Sequence, residues 1–169
     1  MNTVIIAIDG QASTGKSTQA KKLAENLKYD YRDSGAYYRA ITLYLLDNDI
    51  KLDLNISDKI LDKININQTY EEGKFSIYLN GNDVTKRIRG YKVSSNVSNY
   101  AKKPEIRKFV FNQLRKSGES NSLVVDGRDI GTVVFPNADF KFFLVAEPDI
   151  RAERRHKQIN DDSVKVDTI

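Results

Sequence analysis

Val4-Ile5-Ile6-Ala7-Ile8 is an unbroken apolar run, mostly β-branched, closed by Asp9-Gly10. A run this short and this branched predicts a strand buried on both faces. Ser17-Thr18-Gln19-Ala20-Lys21-Lys22-Leu23-Ala24 then reads as a helix, and Tyr29-Asp30-Tyr31-Arg32 as a second short strand. Across residues 35–47, Tyr37, Tyr38, Ile41, Leu45 and Leu46 fall close to the helical period, with Asp33 or Ser34 placed to cap. A helical stretch follows at about 91–101. Pro104 suits the first turn of a helix over 104–117, with Ile106, Phe109, Val110 and Leu114 on one face. Leu123-Val124-Val125, ending at Asp126, and Lys141-Phe142-Phe143-Leu144-Val145 are two more strand runs. Pro148 opens a charged helix to about 159, and Asp161 to Ile169 carries no convincing element.

The period changes between residues 52 and 90. A short helix is expected at about 57–63 with Ser57 as its cap. After it Ile64, Ile66, Gln68 and Tyr70 alternate with polar neighbours, as do Phe75, Ile77 and Leu79 beyond a turn at Glu71-Glu72-Gly73. Asn80-Gly81 before Asp83-Val84-Thr85 is a strong hairpin signal. The chain is therefore expected to be α/β, with a parallel sheet flanked by helices and a small antiparallel insertion. The insertion has too few strands for a core of its own.

Composition narrows the chemistry. The chain has 169 residues, enough for one domain, with 40% hydrophobic and 30% charged residues. It has no cysteine and one histidine, which removes disulfide, thiolate, zinc and His-triad chemistry. A reducing cytosol is compatible with that usage. The N-terminal apolar run is too short for a signal peptide or a membrane span. Net charge is +4, and no block of five or more basic residues occurs, so a solvated surface is favoured over a nucleic-acid tract. Arg87, Arg89, Arg107, Arg115, Arg128, Arg151, Arg154 and Arg155 recur in the second half, and several of them are candidates to hold small anionic ligands.

Gly10-Gln11-Ala12-Ser13-Thr14-Gly15-Lys16-Ser17 fits G-x-x-x-x-G-K-[ST], set between a predicted strand and a predicted helix. That context makes a phosphate cradle from backbone N–H groups and a helix N-terminus. Lys16 is placed to reach the β/γ-phosphates and the Ser17 hydroxyl to hold Mg²⁺. Asp126, at the end of an apolar strand, either meets that Mg²⁺ or merely starts a turn with Gly127. Arg128 can fork onto phosphate oxygens or pair locally with Asp126 or Asp129. Arg39 lies one helical turn beyond Ser34-Gly35 and can point at an anion near that helix's start.

Together, the P-loop, Asp33-Ser34-Gly35-Ala36-Tyr37-Tyr38-Arg39, the segment Asp126 to Pro136 and Arg151-Ala152-Glu153-Arg154-Arg155 resemble bacterial cytidylate kinase, in order and in spacing. The resemblance implies a P-loop nucleoside monophosphate kinase, phosphorylating CMP and dCMP from ATP with Mg²⁺, as a cytoplasmic monomer without nucleic-acid or membrane partners. It implies a single domain with an enlarged monophosphate-binding insertion at about 52–100 and a lid starting at about 149–169. Gly10 to Thr18 would bind ATP phosphates, and Arg39 and Arg128 the CMP phosphate. Ser34, Arg107 and Asp129 would read cytosine, and Ser98 would touch the ribose. Arg151, Arg154 and Arg155 would begin the lid. The chemistry fits the base assignment: a carboxylate accepts from the cytosine amino group while an arginine donates to the ring acceptors. The family pattern also continues past Ile169, so a shortened member with four of five core strands is expected. A kinase for another small acceptor, or a chain that binds nucleotide with little turnover, are the other readings.

Overall fold

The computed structural model describes residues 3–52 and 56–164. Four parallel strands form the main sheet: β1 (Ile5–Gly10), β2 (Asp30–Asp33), β6 (Leu123–Gly127) and β7 (Phe140–Leu144), in the order β2-β6-β1-β7. The alternation of β1 and β6 explains the two buried faces. Ile6, Ile8 and Val124 point to one side, where Ala20 and Ala24 of helix α1 (Lys16–Leu27) cover them. Ala7, Leu123 and Val125 point to the other, against Ala36, Ala40 and Ile41 of α2 (Ser34–Asp47) and Ile106, Val110 and Leu114 of α5 (Pro104–Ser117). Alanines face the sheet where helix and strand approach most closely, and each buried branched side chain contributes about 1.5–3 kcal/mol. The parallel sheet with helices on both faces is the expected α/β class.

Between α2 and α5 lie α3 (Asp58–Leu61), the antiparallel strands β3 (Ile66–Glu71), β4 (Lys74–Leu79) and β5 (Asn82–Asp83), a 3₁₀ turn at Arg87–Arg89 and α4 (Tyr91–Tyr100). Asn80 and Gly81 both take positive φ (50° and 83°), the turn that lets β4 and β5 pair with matched twist. Ile66, Ile77 and Leu79 enter the same core as α2 and α5. Gln68, 3% exposed, ties the small sheet to the end of β2. Its Oε1 accepts from Asp33 N–H (2.9 Å) and its Nε2 donates to Asp33 O (2.8 Å).

Three local readings differ from the sequence expectation. Ile64 is not in a strand; it closes the turn after α3 through its N–H to Leu61 O. Ser57 precedes α3 but makes no side-chain cap bond. The last helix, α6 (Pro148–Val164), runs past residue 159. Its described face is almost wholly exposed, so it had no apolar period whose loss could mark an end. At the sheet's edge, β7 leaves Phe140, Phe142 and Phe143 exposed, Phe143 by 66%.

Candidate active site

The site gathers at the C-terminal ends of β1, β2 and β6, where open α/β sheets bind ligands. The loop from Gly10 to Gly15 leads from β1 into α1, whose first-turn N–H groups have no intrahelical acceptors. Thr14 Oγ1 donates to Gln11 O (3.0 Å), which stiffens the loop, and Lys16 Nζ reaches the same carbonyl (3.2 Å). Gln11, Ala12 and Thr18 are exposed around it. From α6, Arg154 Nη1 donates to Ser13 O (3.3 Å), so a guanidinium lies against this loop. Arg151 turns back on Ala146 O.

Asp126 is 2% exposed and accepts from two hydroxyls: Ser17 Oγ on Oδ2 (2.6 Å) and Tyr31 on Oδ1 (2.7 Å). Burial, then the charge of Asp33, pushes its carboxyl up to about 7 against the opposing pull of those hydrogen bonds and of Lys16. Burial and the charges of Asp33 and Asp126 raise the Tyr31 phenol well above the usual range, so Tyr31 remains a donor. The donors suit Mg²⁺. Because Ser17 gives its proton to Asp126, the hydroxyl oxygen keeps its lone pairs for a cation. Among the described residues no cluster of three or more His, Cys, Asp or Glu is placed to hold a metal.

The turn after β6 faces a second group of cations. Gly127 is required by close approach: a Cβ there would meet Ser34 Oγ at 2.5 Å and Ile130 at 2.7 Å. Ser34 thus lies buried against the turn, and Asp33 caps α2 by accepting from Ala36 N–H (3.0 Å). Arg39 is half-buried and donates to Ser94 Oγ (2.9 Å) and Ile88 O (3.3 Å). Its pKa is lowered by burial first, then by Arg155 and Arg89, with Asp33 opposing and Arg128 adding to the lowering. Four guanidiniums therefore share one field, which an anion would relieve. Arg107 and Asp129 form a direct ion pair, with Arg107 lying over the Phe111 ring (5.0 Å). Arg128 is exposed and joins no ion pair among the described residues, which removes the local pairing with Asp126 or Asp129. Ser98 lies on the exposed side of α4.

Sequence reasoning passed over Asp9, although a carboxylate closing a buried strand was its signal. Asp9 is 7% exposed; its Oδ1 accepts from Ile130 N–H and its Oδ2 from Gly131 N–H, both at 2.8 Å. These bonds pin a single π-helical turn, Ile130–Val134, and so hold Asp129 in place. Asp9→Ala strands two buried donors and is expected to destabilise the fold by about 2–4 kcal/mol. Urea unfolding of Asp9→Ala and Asp9→Asn checks this, with the asparagine variant losing about half as much.

A parallel sheet with a P-loop, a strand-end aspartate on the P-loop serine and a facing arginine cluster defines a P-loop kinase of small phosphorylated substrates. A model of the cytidylate kinase family matches residues 6–169. The cytidylate kinase of Fusobacterium nucleatum is 44% identical over 167 residues, covering 98% of this chain and 75% of that protein. That of Clostridioides difficile is 45% identical over 159 residues (94% and 72%), and that of Streptococcus agalactiae 43% over 172 residues (99% and 74%). The chain belongs to the cytidylate kinase family and is a phosphotransferase. Among the described residues no helix is long and apolar enough to cross a membrane.

Proposed function

We propose that the chain transfers the γ-phosphate of ATP to CMP and dCMP, giving the diphosphate and ADP, as a monomeric cytoplasmic enzyme. In this reading Gly10 to Thr18 hold the ATP phosphates, Lys16 neutralises the β/γ oxygens, and Ser17 with Asp126 holds Mg²⁺, directly or through water. Mg²⁺ held there would supply neutralisation of the charge on the transferred phosphate. Arg39 and Arg128 hold the CMP phosphate, Ser34, Arg107 and Asp129 read the base, and Ser98 touches the ribose. Arg151, Arg154 and Arg155 close the lid, which starts at about residue 149, while the insertion at about 52–100 forms the monophosphate-binding region.

One observation carries the reading: the Arg107–Asp129 ion pair and the Arg39 cluster meet neighbouring residues of α2, the pair at Tyr38 and the cluster at Arg39. Tyr38, the neighbour of Arg39, lies within the field of both Arg107 and Asp129. Donor and acceptor groups for a base thus adjoin a phosphate clamp. The acceptor is a phosphate with a second pKa near ~6, mostly dianionic at neutral pH, so no general base is needed. Catalysis reduces to alignment and charge neutralisation. Incubation with γ-labelled ATP and CMP tests the reaction: label is expected in CDP, and label released only as phosphate would contradict it.

Asp129 faces the cytosine amino group in this reading; uracil presents an acceptor there and leaves the carboxylate unpaired. That discriminates by about 1–3 kcal/mol. Asp129→Ala is therefore expected to lower the CMP/UMP ratio of kcat/KM by about 5- to 150-fold. An unchanged ratio would remove Asp129 from base reading.

A further inference from the structure

Tyr31 has no place in the reaction as written, yet it is 1% exposed and directed at the centre of the donor half. It sits on β2, paired to β6 with Tyr31 opposite Val124 and Asp33 opposite Asp126. Its hydroxyl holds Asp126 Oδ1 at 2.7 Å while Ser17 holds Oδ2 at 2.6 Å. One donor on each oxygen fixes the plane of the carboxylate. The Tyr31 ring is fixed in turn. Tyr70 and Phe75, from the two long strands of the small sheet, meet it edge-on at 5.5 and 5.9 Å between centroids. Lys21, on the helix that Lys16 opens, places Nζ 5.0 Å from the Phe75 centroid, 5.7 Å from Tyr31 and 5.8 Å from Tyr70. Aromatic edges and an ammonium over three rings hold the phenol against sliding along β2.

We propose that Tyr31 is a positioning residue: it orients Asp126 so that the Ser17 hydroxyl is presented to the metal, and the insertion's Tyr70 and Phe75 hold it there. The inference rests on the reading of Ser17 and Asp126 as the Mg²⁺ site. It gives the small sheet a role in the donor half as well as the acceptor half. A group that orients a metal's partners from behind typically changes metal affinity or activity by about 10- to 100-fold when removed.

The test compares the native chain with Tyr31→Phe, which keeps the ring, and Phe75→Leu, which keeps the hydroxyl but loosens the ring. Mn²⁺ titration in the presence of ADP, followed by electron paramagnetic resonance, reads metal affinity without turnover. Steady-state kinetics with CMP supply the second readout. Tyr31→Phe is expected to weaken Mn²⁺ by about tenfold and lower kcat by about tenfold, with KM for CMP within about twofold. Phe75→Leu is expected to shift both the same way by about threefold. Unchanged Mn²⁺ saturation in folded Tyr31→Phe overturns the proposal, since a phenol that only fills the core would leave it unmoved. Should Tyr31→Phe fail to fold, unchanged Mn²⁺ saturation in Phe75→Leu overturns it. A native chain without CMP-dependent turnover defeats the proposed reaction instead, and the Mn²⁺ arm still decides the role of Tyr31.

Discussion

Lys16→Ala is expected to remove phosphoryl transfer by about 10³-fold or more while CMP binds within about twofold of the native affinity. Lys16 opens α1, directly behind the Gly10–Gly15 loop, and its Nζ lies against that loop at Gln11 O, 3.2 Å away. In the proposed reaction it meets charge that grows on the leaving oxygens, an interaction stronger in the transition state than before it. The groups proposed to hold CMP come from other elements: Arg39 from α2, Arg107 from α5 and Asp129 from the turn after β6. Removing one lysine therefore leaves the acceptor half intact. Coupled ADP release and calorimetric CMP titration check the two halves separately. Loss of CMP binding with catalysis preserved would contradict the assignment.

Asp126→Asn is expected to lower turnover by about 10²-fold or more and, in the absence of metal, to make the protein more stable at pH 8. Asp126 is buried with its carboxyl raised from 3.8 to about 7. Between those values the folded chain keeps a proton that the unfolded chain has released, so the native state binds more protons. Stability from this group is present below the lower value and is lost as pH rises through about 7. An amide carries no charge to desolvate. Its oxygen can still accept from Tyr31, and its NH₂ can donate to Ser17 once that hydroxyl rotates. The melting temperature without Mg²⁺ should therefore rise by at least about 3 °C at pH 8, with the gain shrinking toward pH 5. A variant destabilised equally at both values would mean that the carboxylate is held for stability rather than for the metal. Mg²⁺ with ADP should narrow the difference by stabilising only the native chain.

Parts of this architecture are plain in the sequence because their causes are local. A strand buried on both faces must be apolar at every position, as Ile5 to Ile8 and Leu123 to Val125 are. The P-loop is a contiguous backbone device, and Asn80-Gly81 encodes its own turn. The rest depends on distance in space. Arg107 is an ordinary charged residue on the flank of a helix, and only its meeting with Asp129 makes it notable. That pair was legible through family resemblance, not through any period. Gln68 followed the alternation of its strand, which places it inward but does not reveal that it grips both backbone groups of Asp33. Tyr31 read as one position of a short strand and Asp9 as the end of an apolar run, though their polar atoms organise Asp126 and the turn holding Asp129. Buried polar groups whose partners lie far along the chain leave no pattern in the sequence.

The proposed reaction is the phosphorylation of cytosine monophosphates at this site. Coupled ADP release with CMP, dCMP, UMP and AMP, at equal ATP and Mg²⁺, tests it most directly. CMP and dCMP are expected to lead, with kcat/KM for UMP lower by about fivefold or more. UMP or AMP outperforming CMP, or tight ATP-analogue binding with no CMP-dependent ADP release, would contradict it.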